Sequence, residues 1–428
     1  MPRPAAPLVR SKPALLGGKP LVTPAMRVTW PPRGEPERKA ILEVLDSGQW
    51  WRGGTRQQMA QSVTGRFERA FAKWQGAKHA LCVSNGTAAL ELALKAGGVE
   101  AGDEVIVPAL SFVATATAVP LIGARAVFAD ADPETYQTDP ASVEAAITPR
   151  TKAIVVVHYG GYCADMDRFT KLAKKHKLLL IEDCAHAQGS QWRGRGAGSW
   201  GDAGCFSFQQ SKALTAGEGG AVISNSDVLA EKLYSYHHLG RLEDQGFYDF
   251  HRVAWNLRLT EWQGAILNEQ LKRVKKLTLI KQRNGAWLSK RLEQLGGLLP
   301  LKRDPRITRR GYYFYLMRYD ARAFGGLTKA RFFQALQAEG LPVSQAYGRA
   351  IQRNPVFAQM KDERGRLIYA RTSTPNADRI CAETQLTLGH TALLSRPLLE
   401  AFVASVERIR AHASEIRDQG KDAARAAG

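Results

Sequence analysis

The chain predicts an α/β fold: a three-layer sandwich around a mostly parallel sheet, with a smaller α+β domain toward the C-terminus. Three features predict it. Between residues 79 and 225, short runs that are apolar at every position alternate with helical patterns, and such runs suit strands covered on both faces. Strands that alternate with helices favour a parallel sheet over packed hairpins. From about residue 297 the pattern changes to an aromatic strand, RRGYYFYLMRYD, and a helix, TKARFFQALQAEG, which read as a separate unit.

The elements follow in order. HALCVS leads into the helix TAALELALKAG, EVIVPA into FVATATAVPLIG, and ARAVFAD stands alone. AIVVVH is followed by MDRFTKLAKKH, then come LLLIED and AVISN. A long amphipathic helix is expected from about Thr260 to Leu295, stopped by Gly296 and Gly297. A chain of 428 residues exceeds the size at which one core keeps growing. The expected organisation is an N-terminal arm over 1–35, a large domain over 36–296, a small domain over 297–415 and a flexible tail over 416–428, either a fraying helix or a disordered segment.

Hydrophobic residues make up 44% and charged residues 23% of the chain, which is ordinary globular composition. The net charge of +20 is compatible with nucleic acid, an anionic surface or phosphorylated ligands. Its densest stretches, KLAKKHK at 171–177 and QLKRVKKLTLIKQR at 270–283, read as solvated helix faces. No nucleic-acid-binding module accompanies them, so no nucleic-acid partner is expected. The five cysteines, at 82, 163, 184, 205 and 381, form no CxxC pair, so no metal is expected and a reducing cytoplasm fits best. The proline-broken start lacks the apolar core of a secretion signal. No run reaches the roughly 18 apolar residues of a membrane span.

Ligands of parallel α/β sheets sit off the carboxyl ends of the strands, and four segments stand there. In SNGTAAL, Gly86 and Thr87 open a helix, whose free N–H groups either hold an anion or are simply capped. In LLLIEDCAHAQG, a strand ends on Glu182 and Asp183 with His186 just beyond. A carboxylate at that rim requires a cation, which an Arg, a Lys or a protonated ring nitrogen would supply. In CFSFQQSKALTAGEGGAVISN, Lys212 lies between a Ser/Gln stretch and a glycine turn. Burial there would lower its pKa and make it a nucleophile toward aldehydes, whereas in solvent it would be inert. In VAWNLRLTEWQGAILNEQL, Asn256 and Arg258 precede the long helix and suit either capping or ligand contact.

Together and in this order, these segments closely resemble the DegT/DnrJ/EryC1/StrS sugar aminotransferases, over roughly residues 15 to 400. The resemblance implies the aspartate-aminotransferase fold (fold type I) and pyridoxal 5'-phosphate, held by Lys212 as an imine. It implies that Asp183 pairs with the pyridine nitrogen, that Phe112 lies against the ring, and that His186 sits near its phenolic oxygen or other face. Gly86, Thr87, Ser207 and Gln209 match phosphate contacts. Asn256 matches a phosphate ligand supplied by the neighbouring subunit, which implies a homodimer with shared sites. Relatives with histidine in place of the lysine run a dehydration; Lys212 disfavours that reaction. FSFQ at 206–209, GGKP at 17–20 and YSYHHLGR at 234–241 are similar to the subgroup that acts on keto cyclitols or makes aminohydroxybenzoate.

The implied activity is ping-pong transfer of an amino group from glutamine or glutamate to a keto cyclitol or nucleotide-linked keto sugar. Its alternatives are aminohydroxybenzoate-type elimination and aromatisation, or a non-catalytic regulatory protein of the same fold. Other conspicuous residues read more plainly. His158 and His390 read as satisfied loop histidines or as substrate contacts, Tyr312 to Tyr315 as strand packing, and Cys184 as a small buried filler rather than a nucleophile. Trp50, Trp51 and Arg52 suit packing or a loop near substrate equally.

Overall fold

The computed structural model describes residues 11–242, 245–246 and 248–426. The apolar runs become β1 (His79–Val83), β2 (Glu104–Pro108), β3 (Arg125–Ala129), β4 (Thr151–Val157) and β5 (Leu179–Asp183). Two short strands follow, β6 (Gln191–Trp192) and β7 (Arg195–Gly196), and then β8 (Ala203–Ser207) and β9 (Gly220–Ser224). Seven of these form one sheet in the order β1-β9-β8-β5-β4-β2-β3. Parallel pairing runs from β3 through to β8, while β9 is antiparallel to both β8 and β1. Residues 208–219 hold no helix; without a crossover the chain can only turn back on itself.

Both faces of the sheet are buried, as the unbroken apolar runs predict. β4 sends Ala153, Val155 and Val157 into one hydrophobic cluster and Ile154 and Val156 into the other. The first cluster lies under the helices Gly86–Ala96 and Ala114–Leu121, the second under Val63–Gln75 and Met166–His176.

The long helix is Glu261–Leu295, opened by a Thr260/Gln263 capping box and stopped at Gly296, whose φ is 70°. Leu267, Leu271 and Val274 belong to the large-domain core, whereas Leu288 and Leu292 already belong to a third cluster. The core therefore changes within the helix. That third cluster lies against a sheet of β10 (Leu298–Pro300), β12 (Phe314–Tyr319), β13 (Val343–Ser344) and β14 (Gln385–Gly389), in the antiparallel order β10-β12-β14-β13. A short β11 (Ile307–Arg309) pairs instead with β6.

One expectation is corrected here. The aromatic strand expected over RRGYYFYLMRYD begins only at Phe314, because Tyr312 adopts a φ of 52°, a left-handed conformation that ends extended backbone. Of the two readings of the tail, fraying helix or disordered, the segment takes the helical one over Ala413–Ala426, with Ala413 and Ile416 buried in the third cluster. The N-terminal arm packs on the small domain: the Glu339 carboxylate accepts the Ala14 and Leu21 N–H groups at 3.0 and 3.2 Å and pairs with Arg408. All five cysteines are free and buried, and among the described residues no helix is long and apolar enough to cross a membrane.

Candidate active site

The carboxyl ends of β1, β2, β4, β5 and β8 open onto a cleft of about 1080 Å³. It gathers eight of the nine residues singled out from the sequence: Gly86, Thr87, Phe112, Asp183, His186, Ser207, Gln209 and Lys212. Asn256 is not among its lining. That residue is exposed and forms a backbone bridge with the buried His238 of its own chain.

Asp183 ends β5 and is 5% exposed. Its Oδ2 accepts the Thr115 hydroxyl at 2.7 Å and its Oδ1 the Ala185 N–H at 3.0 Å. Burial raises its pKa, opposed by those two hydrogen bonds and by the charge of Lys212. The neighbouring Glu182 points the other way. Its carboxylate takes N–H groups from Gly198, Trp200 and Gly201 and from the His158 ring, all at 2.6–2.8 Å. The His158 Nδ1 accepts the Ala164 N–H at 3.0 Å. His158, Glu182 and Cys184 lie close enough to suggest a metal site, but Glu182 and His158 are already filled by these protein donors. Glu182 is thus a structural anchor, and Asp183 alone faces the cleft.

Lys212 is half-buried, with its backbone N–H on the Gln209 carbonyl at 2.8 Å. Burial lowers its pKa to about 8, against the opposing attraction of Asp183. Near neutrality a useful fraction of the amine is uncharged and nucleophilic. His186 is buried between two tyrosines, stacked on Tyr313 at 4.3 Å and parallel to Tyr347 at 6.3 Å. The Gly160 N–H donates to its Nδ1 at 3.4 Å, and its Nε2 meets the Tyr347 hydroxyl at 3.2 Å. Burial first, and then Lys212, hold its pKa well below the usual range, so the ring is neutral.

An anion cradle lies at one end. Asn85 caps the helix Gly86–Ala96 by taking the Ala88 and Ala89 N–H groups, which leaves those of Gly86 and Thr87 to face the cleft. At Gly86 a Cβ would come within 2.8 Å of the Ser207 Cβ, so only glycine lets helix and loop approach this closely. The Gln209 Oε1 is occupied by the Ser211 N–H and hydroxyl at 2.8 and 2.7 Å. Phe112, 52% exposed, stands 6.0 Å from Tyr347 across the cleft.

A flat ligand carrying an aldehyde, a basic ring nitrogen and a phosphate fits this donor set: amine, buried carboxylate and N–H cradle. The sequence profile of the DegT/DnrJ/EryC1/StrS aminotransferase family matches residues 32–407. The chain belongs to this family. An L-glutamine:2-deoxy-scyllo-inosose aminotransferase of Streptoalloteichus tenebrarius is 38% identical over 92% of this chain and 97% of its own length. A 3-amino-5-hydroxybenzoate synthase of Amycolatopsis mediterranei is also 38% identical, over 86% of this chain and 92% of its own. The crystal structure of a 3-amino-5-hydroxybenzoic acid synthase matches with a TM-score of 0.79 at 36% identity, over 89% of this chain and 99% of that one. As a DegT/DnrJ/EryC1/StrS aminotransferase, the protein is an enzyme of the fold type I kind whose cofactor is pyridoxal 5'-phosphate.

Several site residues escaped the sequence reading. Tyr313 and Phe314, expected as strand packing, line the cleft; Tyr312 and Tyr315 are buried, as expected of packing. Thr115, Ser344 and Tyr347 also line it without having been singled out. Only the alternation of Thr with Ala in VATATAV hinted at Thr115. The remaining side readings resolve as well. His390 is buried and only half satisfied: its Nε2 lies 3.0 Å from the Ser211 carbonyl, while its Nδ1 has no partner among the described residues. Arg52 is buried against Glu68 beneath the half-exposed Trp50 and Trp51, and Cys184 is fully buried.

Proposed function

We propose that this enzyme moves the amino group of L-glutamine to a keto cyclitol. The convergence of Lys212, Asp183 and the Gly86 cradle in one cleft carries the assignment of the chemistry. The support for donor and acceptor is the full-length similarity to enzymes named for glutamine and inosose substrates. Bound pyridoxal phosphate supplies the electron sink that lets an amino group be exchanged for a carbonyl. Lys212 holds the cofactor and moves the substrate α proton. Asp183 keeps the ring nitrogen protonated, and that cation in turn relieves its own desolvated charge. The Gly86 and Thr87 N–H groups, with Ser207 and Gln209, bind the phosphate. Phe112 lies against the ring, and His186 stands near its phenolic oxygen or other face.

Amino exchange itself is the test. Glutamine and a keto cyclitol should give product, and a nucleotide-linked keto sugar should give little. The second reading, aromatisation as in 3-amino-5-hydroxybenzoate synthase, is favoured by similarity to that enzyme. An ultraviolet-absorbing aromatic product would select it.

We further propose a cytoplasmic homodimer in which Asn256 of one subunit serves the cofactor on Lys212 of the other. The support is that Asn256 is exposed and lies outside its own cleft. Two inactive proteins test this. Lys212→Ala lacks the amine, and Asn256→Asp sets a carboxylate against the phosphate, a repulsion of about 4 kcal/mol at an effective dielectric near 20. In a mixed dimer one site then carries both lesions and the other carries neither. Random subunit exchange makes about half the dimers mixed, so recovery of roughly a quarter of wild-type activity is expected. No recovery after confirmed exchange would place Asn256 at its own subunit's site and refute the sharing.

A further inference from the structure

Two residues outside the roles above are tied to the reacting lysine by geometry. The Lys212 Nζ lies 4.3 Å from the centre of the Tyr313 ring, within the range at which an aromatic face attracts an ammonium. That ring is held firmly. Its hydroxyl meets the Ser211 Oγ at 2.8 Å, its face stacks on His186, its N–H donates to the Gly160 carbonyl and its own carbonyl accepts the His390 N–H.

The turn that delivers Tyr313 is strained at Tyr312, whose φ of 52° is unfavourable for a bulky side chain. Lys281 braces it. This residue lies mid-way along the long helix and is 1% exposed. Its Nζ donates to the Gly311 carbonyl and, at 3.3 Å, to that of Tyr312. One turn on, a Cβ at Gly285 would fall 2.7 Å from the Tyr312 hydroxyl, so the glycine makes room for that ring. Lys281 has no carboxylate partner among the described residues, and burial lowers its pKa to about 7. A buried amine spent on two carbonyls is costly to keep, and both carbonyls belong to the turn that presents Tyr313.

We propose that the face of Tyr313 is the resting place of the Lys212 amine when it is free and charged, and that Lys281 positions that face through Gly311 and Tyr312. The inference rests on Lys212 being the cofactor lysine. A ring face suits the task because it attracts the ammonium weakly, without the tight ion pair that a nearby carboxylate would form. The other titratable groups that face the lysine are Glu91, Asp183, His186, Glu218 and Tyr347 in the cleft, with His390 and Lys281 behind Tyr313.

The test uses uptake of pyridoxal phosphate by the apo-protein, followed by absorbance as a function of pH. The uptake rate rises with the neutral fraction of Lys212, so its midpoint reports that amine without any turnover. In the wild type the midpoint should lie at about 8. Tyr313→Leu removes the face and should lower the midpoint by about half to one pH unit, while Tyr313→Phe keeps the face and should leave it in place. Lys281→Met should lower it in the same direction yet add nothing in a Tyr313→Leu background. A purely structural lysine would lower the melting temperature equally in both backgrounds and move neither midpoint. Should Lys281→Met not fold, Lys281→Gln, with a donor on a shorter stem, takes its place with a smaller fall expected. A wild-type midpoint in Tyr313→Leu overturns the resting place, and additive shifts overturn the route through Lys281. Failure of the wild type to take up the cofactor would instead refute the functional reading.

Discussion

Lys212→Ala is expected to abolish the visible absorbance of the bound cofactor and to lower kcat by at least about 100- to 10,000-fold, the contribution typical of a positioned acid–base group. No second amine can substitute. Among the described residues lining the cleft, Glu91, Asp183, Glu218 and Lys212 are the charged ones. The amine of Lys281 is buried and already bonded to the Gly311 and Tyr312 carbonyls. The variant should fold, because the loop is held by the Lys212 backbone N–H, which alanine retains. Spectroscopy and multiple-turnover assays check both outcomes. Substantial turnover in this variant would remove Lys212 from the chemistry.

Asp183→Asn should separate catalysis from stability. An amide cannot keep the ring nitrogen protonated, and a charged hydrogen bond is worth ~1.5–3 kcal/mol, so kcat should fall by about 10- to 150-fold. The apo-protein should melt no lower than wild type. Asparagine can accept the Ala185 N–H on its one carbonyl oxygen and donate its amide to the Thr115 hydroxyl, which can rotate to accept, and it removes a carboxylate whose charged form is penalised by burial. Near wild-type rates would mean that another group holds the ring nitrogen.

Strand positions and the residues at their carboxyl ends were legible in the sequence because a buried parallel strand is apolar throughout and stops where polar residues meet the cleft. That is why Asp183 could be placed at the rim; that Lys212 shares its site followed from the family resemblance, because the strand before it, Ala203–Ser207, was not read as one. Direction was not legible. AVISN has the same apolar character whether β9 runs with its neighbours or against them, and only the absence of a helix in 208–219 decides it. The aromatic wall was also hidden. Tyr313 and Tyr347 come from the small domain, and their facing of His186 depends on the turn at Tyr312, which no local pattern marks. In the tail a helix was one of two readings, and what the sequence hid is the burial of Ile416, a tertiary contact within an otherwise polar segment.

Loading wild-type enzyme with pyridoxal phosphate, then adding L-glutamine alone and afterwards a keto cyclitol, tests the central claim most directly. The visible band should bleach with glutamine as the amino group passes to the cofactor, and it should return when the keto cyclitol carries that group away. A band that no amino donor bleaches, or that bleaches and is restored by no keto cyclitol or keto sugar, would contradict amino transfer at this site.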